Sequence, residues 1–192
     1  MTTNLPPPAR PLPGDFLGSE IAARPESYVV MLEATERRAL LTAAGAIERG
    51  DPSPSVAADF QGALARISDL SKRRLSSGDG FVMLRGIPTE DFSRDTMASV
   101  FTHLGGALGR PVPQNLEGEP ITDIRDTGAD PSDRDVRLYR TRAEQDFHTD
   151  GADVIGLLCL HPAARGGSSR IVSSVRVYRR VEALRPDLAP LL

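Results

Sequence analysis

Tryptophan is absent from this chain and aromatic residues make up only 5% of it, which leaves little surface for stacking on nucleic-acid bases. A single cysteine, Cys159, excludes an internal disulfide and a cysteine-built zinc site. Within Val154-Ile-Gly-Leu-Leu-Cys-Leu160 that thiol is expected to pack as an inert buried hydrophobe. No apolar run reaches the roughly eighteen residues that a membrane-spanning helix needs. The first fifteen residues lack the apolar core of a secretory signal. A net charge of −3 gives no basic field for nucleic acid or an anionic membrane. These features fit a cytoplasmic chain with neither nucleic acid nor membrane among its partners.

What is present suits one folded unit. The chain has 192 residues, 40% hydrophobic and 26% charged, enough for a single domain with a real core. Residues 1–25 carry Pro6, Pro7, Pro8, Pro11, Pro13 and Pro25 and read as an extended surface arm; residues 26–192 form the domain proper. Apolar spacing predicts a helix over 33–49, with Leu40, Ala43, Ala44 and Ile47 on one face and Gly50 as its stop. A second helix, capped by Ser55, places Val56, Phe60, Leu64 and Ile67 on one stripe, and its end carries Lys72, Arg73 and Arg74, a solvated helix terminus. Phe81-Val-Met-Leu84 reads as a short buried strand. A third helix starts at Ser93 with Met97, Val100, Phe101, Leu104 and Leu108 facing inward, and His103 on it reads as a surface or core-edge residue. From Gly109 the texture changes to short apolar segments at 121–124, 136–139, 154–160 and 170–173, which read as strands, and then a helix at Ser174 to Leu184. Helices first and strands second suggest an α+β fold with an antiparallel sheet.

The sharpest local feature is Asp146-Phe-His-Thr-Asp150. On a strand, residues i and i+2 share a face, so His148 and Asp150 would aim an imidazole and a carboxylate at one point. That supplies two neighbouring vertices of an octahedron, and non-haem Fe(II) sites use two histidines and one carboxylate in this way. The same three residues also suit a surface histidine beside acids, or a hydrogen-bonded His–Asp pair without metal.

The surroundings narrow the choice. In order come Phe81-Val-Met-Leu-Arg-Gly-Ile-Pro88, Leu104-Gly-Gly-Ala-Leu-Gly109, Pro113-Gln-Asn115, Phe147-His-Thr-Asp150, Ala164-Arg-Gly-Gly167 and Ile171-Val-Ser-Ser174. Over roughly residues 78–190 this series resembles the TauD/TfdA family of Fe(II)- and 2-oxoglutarate-dependent dioxygenases, in the clavaminate synthase-like superfamily. The resemblance implies a double-stranded β-helix, or jelly roll, with the N-terminal helices packed on it. It implies that His148 and Asp150 bind Fe(II), that Ser169 after the glycine pair helps hold 2-oxoglutarate, and that Gln114 and Asn115 lie on the substrate side. The implied reaction oxidises a small organic substrate with O2 and yields succinate and CO2. Two alternatives stand beside it: a non-catalytic, degenerate jelly-roll module that binds a small molecule or a partner chain, and a zinc- or iron-binding cupin of unrelated chemistry.

The resemblance also implies residues that are not found. A second iron histidine belongs on a later strand, with an arginine beyond it for the distal carboxylate of 2-oxoglutarate. After Asp150 the one histidine is His161, in Leu160-His-Pro162, and its position does not suit that role. The expectation is therefore the N-terminal part of such a dioxygenase: a truncated product, a split-gene half or a misread frame, catalytically weak or dead. Its exposed strand edges would invite self-association or a complementing chain.

Overall fold

The computed structural model describes residues 12–51, 54–115 and 117–191. The elements in chain order are α1 (Gly18–Ala22), β1 (Val29–Met31), α2 (Ala34–Arg49), α3 (Pro54–Ser77), β2 (Met83–Arg85), α4 (Arg94–Leu108) and α5 (Ser174–Leu184), with short 3-10 turns at Pro25–Ser27, Leu138–Arg140 and Ala189–Leu191. The proline-rich residues up to Pro11, the loop at 52–53, the Ser55 cap and the Val56 side chain lie outside what is described.

The three long helices follow from their apolar spacing. Leu40, Ala43 and Ala44 of α2, Phe60, Leu64 and Ile67 of α3, and Met97, Val100 and Leu104 of α4 are buried together as one core. Ile47 is half-buried against that core, and Phe101 and Leu108 of α4 are half-buried. Local chemistry sets the helix ends. Glu33 N–H donates to the Glu36 carboxylate at 2.8 Å ahead of α2, and Gly50 closes α2 with φ 67°, a left-handed conformation that glycine adopts without strain. Ser93 caps α4 by accepting from Thr96 N–H. At the other end of α4, Ser68 Oγ and Lys72 Nζ of α3 both donate to the Ala107 carbonyl, at 2.7 and 3.0 Å. Lys72 thus serves the carboxyl end of a neighbouring helix, and Arg74 donates to the Ser27 carbonyl at 2.7 Å.

The sheet differs from expectation. Among the described residues it has two strands, β1 and β2, and they run parallel, with Val29, Val30 and Met31 opposite Met83, Leu84 and Arg85. The connection between them passes through α2 and α3, and such a crossover returns the chain in the same direction. The expected antiparallel sheet is not formed by the described residues. The segments 121–124, 136–139, 154–160 and 170–173 are not in any ladder. Two of them do approach each other: Arg125 N–H donates to the Tyr139 carbonyl at 3.1 Å and Thr127 N–H to the Arg140 carbonyl at 2.8 Å. The physical reason is that period-2 patterning specifies a face, whereas a strand exists only with a partner backbone.

The patterning still acts on packing. Leu158 and Leu160 are half-buried against the helical core, while Leu157 and Cys159 point to solvent. Cys159 is therefore exposed, not buried as its apolar neighbours suggested; it falls on the outward side of the alternation. Gly156 lies so close to α4 that a Cβ there would meet the Phe101 ring at 3.1 Å. The described part of the arm, 12–25, contains α1 and buries Phe16 and Ile21. α5 begins where expected, with Ser173 accepting from Arg176 N–H at 2.9 Å, and ends ahead of Pro186.

Candidate functional site

The His-x-Asp pair lies on an exposed loop ahead of Leu158 and Leu160, where the chain packs on the helical core. His148 Nε2 and Asp150 Oδ1 stand 4.0 Å apart, with both side chains about half exposed, at 52% and 54%. The i, i+2 spacing thus brings the two groups to a common point, although the backbone there is an open loop and not a strand.

The other ring nitrogen decides what the imidazole can do. His148 Nδ1 lies 2.7 Å from the Asp146 carbonyl oxygen. A carbonyl only accepts, so a neutral ring carries its proton on Nδ1 and leaves the Nε2 lone pair facing Asp150. A backbone oxygen that fixes the tautomer in this way is the usual support of a metal-binding histidine. Imidazole nitrogen with carboxylate oxygen suits a divalent first-row metal. Adjacent donors around an octahedral ion at bond lengths of about 2.1 Å are about 3 Å apart, so the pair needs to close by about 1 Å, a small side-chain rotation. The two residues fit as two ligands of a metal. Among the described residues no group of three or more His, Cys, Asp and Glu side chains is gathered.

A second loop lies against the segment that leads into the pair. Gly166 and Gly167 both have positive φ, 73° and 71°, and a Cβ on Gly167 would meet that of Ala163 at 2.9 Å. Only glycine fits this tight turn, which presents Ser168, Ser169 and Arg170. Ser169 is exposed. The Arg170 guanidinium sits 5.3 Å over the Phe147 ring and pairs with the Glu144 carboxylate, so the loop touches both sides of the segment that leads into His148. Arg170 was not singled out by the sequence. Its partners lie more than twenty positions away, and no local pattern signals them.

Gln114 and Asn115 are engaged locally. Gln114 Nε2 donates to the Val112 carbonyl at 2.8 Å, while Asn115 accepts from Glu119 N–H at 2.9 Å and donates to the Glu119 carboxylate at 2.6 Å. These bonds close a turn. Asn115 lines an open groove of about 300 Å³ with Arg94, Glu119, Thr122, Arg125 and Tyr139, and none of the contacts described joins that groove to His148. At its rim Arg94 binds Asp123 and Asp95, which raise the guanidinium pKa above its ordinary value. His103 is exposed on α4, with Nδ1 2.8 Å from the Ser99 carbonyl and its ring 5.4 Å from that of Phe60.

The model of the "Taurine catabolism dioxygenase TauD, TfdA family" matches residues 49–192, which takes in α3, α4, the His-x-Asp pair and the glycine turn. The chain belongs to the TauD/TfdA family. The family has dioxygenase-type chemistry that in general depends on Fe(II) and 2-oxoglutarate, with O2 and a small molecule as reactants. Two relatives are similar to it. One is the FR-33289 synthase of Streptomyces rubellomurinus, 34% identical over 119 residues, which are 62% of this chain and 35% of that protein. The other is the taurine hydroxylase-like protein SAT17 of Stachybotrys chartarum, 29% identical over 130 residues, 64% of this chain and 34% of that protein. The chain spans about a third of the length of the curated relatives it matches. No solved structure matches it. No helix among the described residues is long and apolar enough to cross a membrane.

Proposed function

We propose that this chain carries the His-x-Asp portion of an Fe(II)- and 2-oxoglutarate-dependent dioxygenase site that oxidises a small organic substrate, giving succinate and CO2. The observation that carries the proposal is the convergence of His148 Nε2 and Asp150 Oδ1, with Nδ1 held by the Asp146 carbonyl. In this reading the domain spans 26–192 after the proline-rich arm, acts in the cytoplasm, and forms part of a jelly roll. The exposed apolar side chains of Ile155 and Leu157, on one side of their segment, are surface that further strands would cover, from a second copy or a complementing chain. Small organic compounds as substrates agree with the name of the taurine hydroxylase-like relative.

The residues divide the work as follows. His148 and Asp150 would hold the metal. The Asp146 carbonyl keeps the imidazole proton on Nδ1 and the ring in place. Ser169 donates its hydroxyl to a carboxylate of 2-oxoglutarate, from a turn that Arg170 fastens to Phe147. Gln114 and Asn115 belong to the substrate side, where Glu119 already fixes the Asn115 amide. Bound iron would supply the oxidation of an unactivated C–H bond, coupled to loss of CO2 from the keto acid.

Anaerobic titration with Fe(II) and 2-oxoglutarate tests the reading. The expected result is a weak visible charge-transfer band that His148→Ala and Asp150→Ala each abolish. Metal binding left intact in both variants would overturn the assignment. A folded protein without any band would favour the second reading, a non-catalytic jelly-roll module, which draws on the lack of a third gathered ligand among the described residues.

A further inference from the structure

Residues 12–17 precede the stretch matched to the family, which begins at residue 49, yet they are built into the fold. Asp15 has an enclosed side chain within this strap. Its side chain is 2% exposed and lies between two guanidinium groups of α5, Arg176 and Arg179, each about one-fifth exposed. Arg179 donates a hydrogen bond to Oδ2, and Arg176 Nε approaches Oδ1 at 2.5 Å, off the hydrogen-bonding axis. One residue earlier, the Gly14 carbonyl accepts from Ser173 Oγ, the cap of α5, and Gly14 N–H donates to the Gly78 carbonyl at 2.9 Å, at the end of α3. One residue later, Phe16 packs its ring 5.6 Å from that of Phe81, just before β2. The strap therefore ties the start of α5 to the helix–sheet layer. It also closes one side of a cavity of about 250 Å³ whose other walls include Leu75, Phe81, Ile171 and Val172.

What α5 holds in turn is the glycine loop. Ser173 follows Ile171 and Val172, which follow Ser169 and Arg170, and Arg170 is the residue that grips Glu144 and Phe147 beside His148. Three links thus run from Asp15 through α5 and Arg170 to the segment bearing the His-x-Asp pair. The first link is the one that no side chain on the family-matched stretch duplicates among the contacts described for Arg176 and Arg179. Loss of the Asp15 charge leaves two adjacent guanidinium groups, four-fifths buried, to repel one another, and their escape to water moves the start of α5.

We infer that Asp15 is a positioning residue: through Arg176 and Arg179 it fixes the Ser169–Arg170 loop against the His148 segment. The role assigned to that loop in 2-oxoglutarate binding rests on the function proposed above; the mechanical link does not. Two measurements on the full chain separate them.

The first is backbone NMR relaxation of Asp15→Asn, which keeps the shape and removes the charge. Order parameters are expected to fall from about 0.85 toward about 0.6 in residues 144–147 and 168–173, with those of α3 and α4 unchanged. A fall confined to 12–17 and 174–184, or one spread evenly over all helices, would overturn the inference. Should Asp15→Asn fail to fold, Arg179→Met breaks the same link without leaving a second cation and is expected to give the same pattern. The second measurement is calorimetry under anaerobic conditions. Asp15→Asn is expected to weaken 2-oxoglutarate binding about tenfold while changing the Fe(II) affinity by less than about twofold, a split that general loss of structure does not produce. Equal losses would refute the positioning role. If the wild-type chain binds no 2-oxoglutarate, the dioxygenase reading fails and the relaxation pattern alone decides the link.

Discussion

Leu40 lies at the centre of the three-helix core, fully buried among Ala44, Phe60, Leu64 and Met97, and its replacement by alanine probes whether that core carries the stability of the chain. The substitution removes three carbon groups at about 0.8 kcal/mol each. Helices α2, α3 and α4 are held to one another at their ends as well as through the core: Glu48 of α2 accepts from Ser93 Oγ, and Ser68 and Lys72 of α3 cap α4. They therefore cannot collapse freely into the hole, and the residual cavity adds about 1 kcal/mol, for a total near about 3.5 kcal/mol. Such a loss is a large share of the roughly 5–15 kcal/mol by which folded domains are stable. Urea unfolding followed by circular dichroism reads it as a lower midpoint at unchanged slope. Leu184→Ala serves as the matched control, since that side chain is 53% exposed on α5, and its cost is expected below about 0.5 kcal/mol. Equal costs for the two variants, or a loss under about 1 kcal/mol for Leu40→Ala, would refute the assignment of the core to these three helices.

Two further outcomes follow from the helix termini. The Glu48 carboxylate accepts from Thr96 Oγ1 and from Ser93 Oγ at 2.8 Å, and these bonds, that of Thr96 first, hold its pKa below the ordinary value of 4.5. A carboxyl whose pKa is lowered by folding stabilises fully above its unfolded pKa and loses that contribution as the pH falls through the folded value. Unfolding curves at about pH 6 and about pH 3 should show the difference between wild type and Glu48→Gln shrinking toward the acid end; a constant difference contradicts the bonding described. Gly50→Ala tests backbone conformation alone, because an added Cβ meets nothing within 4 Å while φ is 67°. Its expected cost is about 1 kcal/mol by denaturant unfolding, and a neutral result would argue against the left-handed helix end.

The helical half of the molecule was legible because its determinants are local. Met97, Val100 and Leu104 recur at the helical period, Ser93 caps the helix that carries them, and Gly50 stops α2, so each signal sits within a few residues of its effect. β1 was not legible. Val29-Val-Met31 is three residues long, and it is a strand only because Met83 N–H donates to the Tyr28 carbonyl at 2.8 Å and Leu32 N–H to the Arg85 carbonyl at 2.9 Å, contacts made across two intervening helices. The Asp15 clamp shares that fate, since its partners lie some 160 positions away and no pattern links a proline-flanked aspartate to two arginines of the last long helix.

The candidate site shows where local and distant information meet. The i, i+2 spacing lets His148 and Asp150 share a side wherever the backbone is not helical, and the 4.0 Å separation is reached on an open loop without a strand. Spacing was not enough to say which ring nitrogen is free. That depends on the carbonyl of Asp146, a backbone group that no side-chain motif records. Nor was it enough to predict the wall of the site, since Arg170 reaches Glu144 and Phe147 only because the glycine turn at 166–167 folds back on them. Alternating apolar residues at 154–160 lay Leu158 and Leu160 on the helical core and leave Leu157 in solvent, so the pattern has found its buried face but no strand partner. A pattern of this kind predicts which side of a segment is inward well before it predicts a sheet, because burial needs one surface to pack on, whereas a ladder needs a second backbone in register.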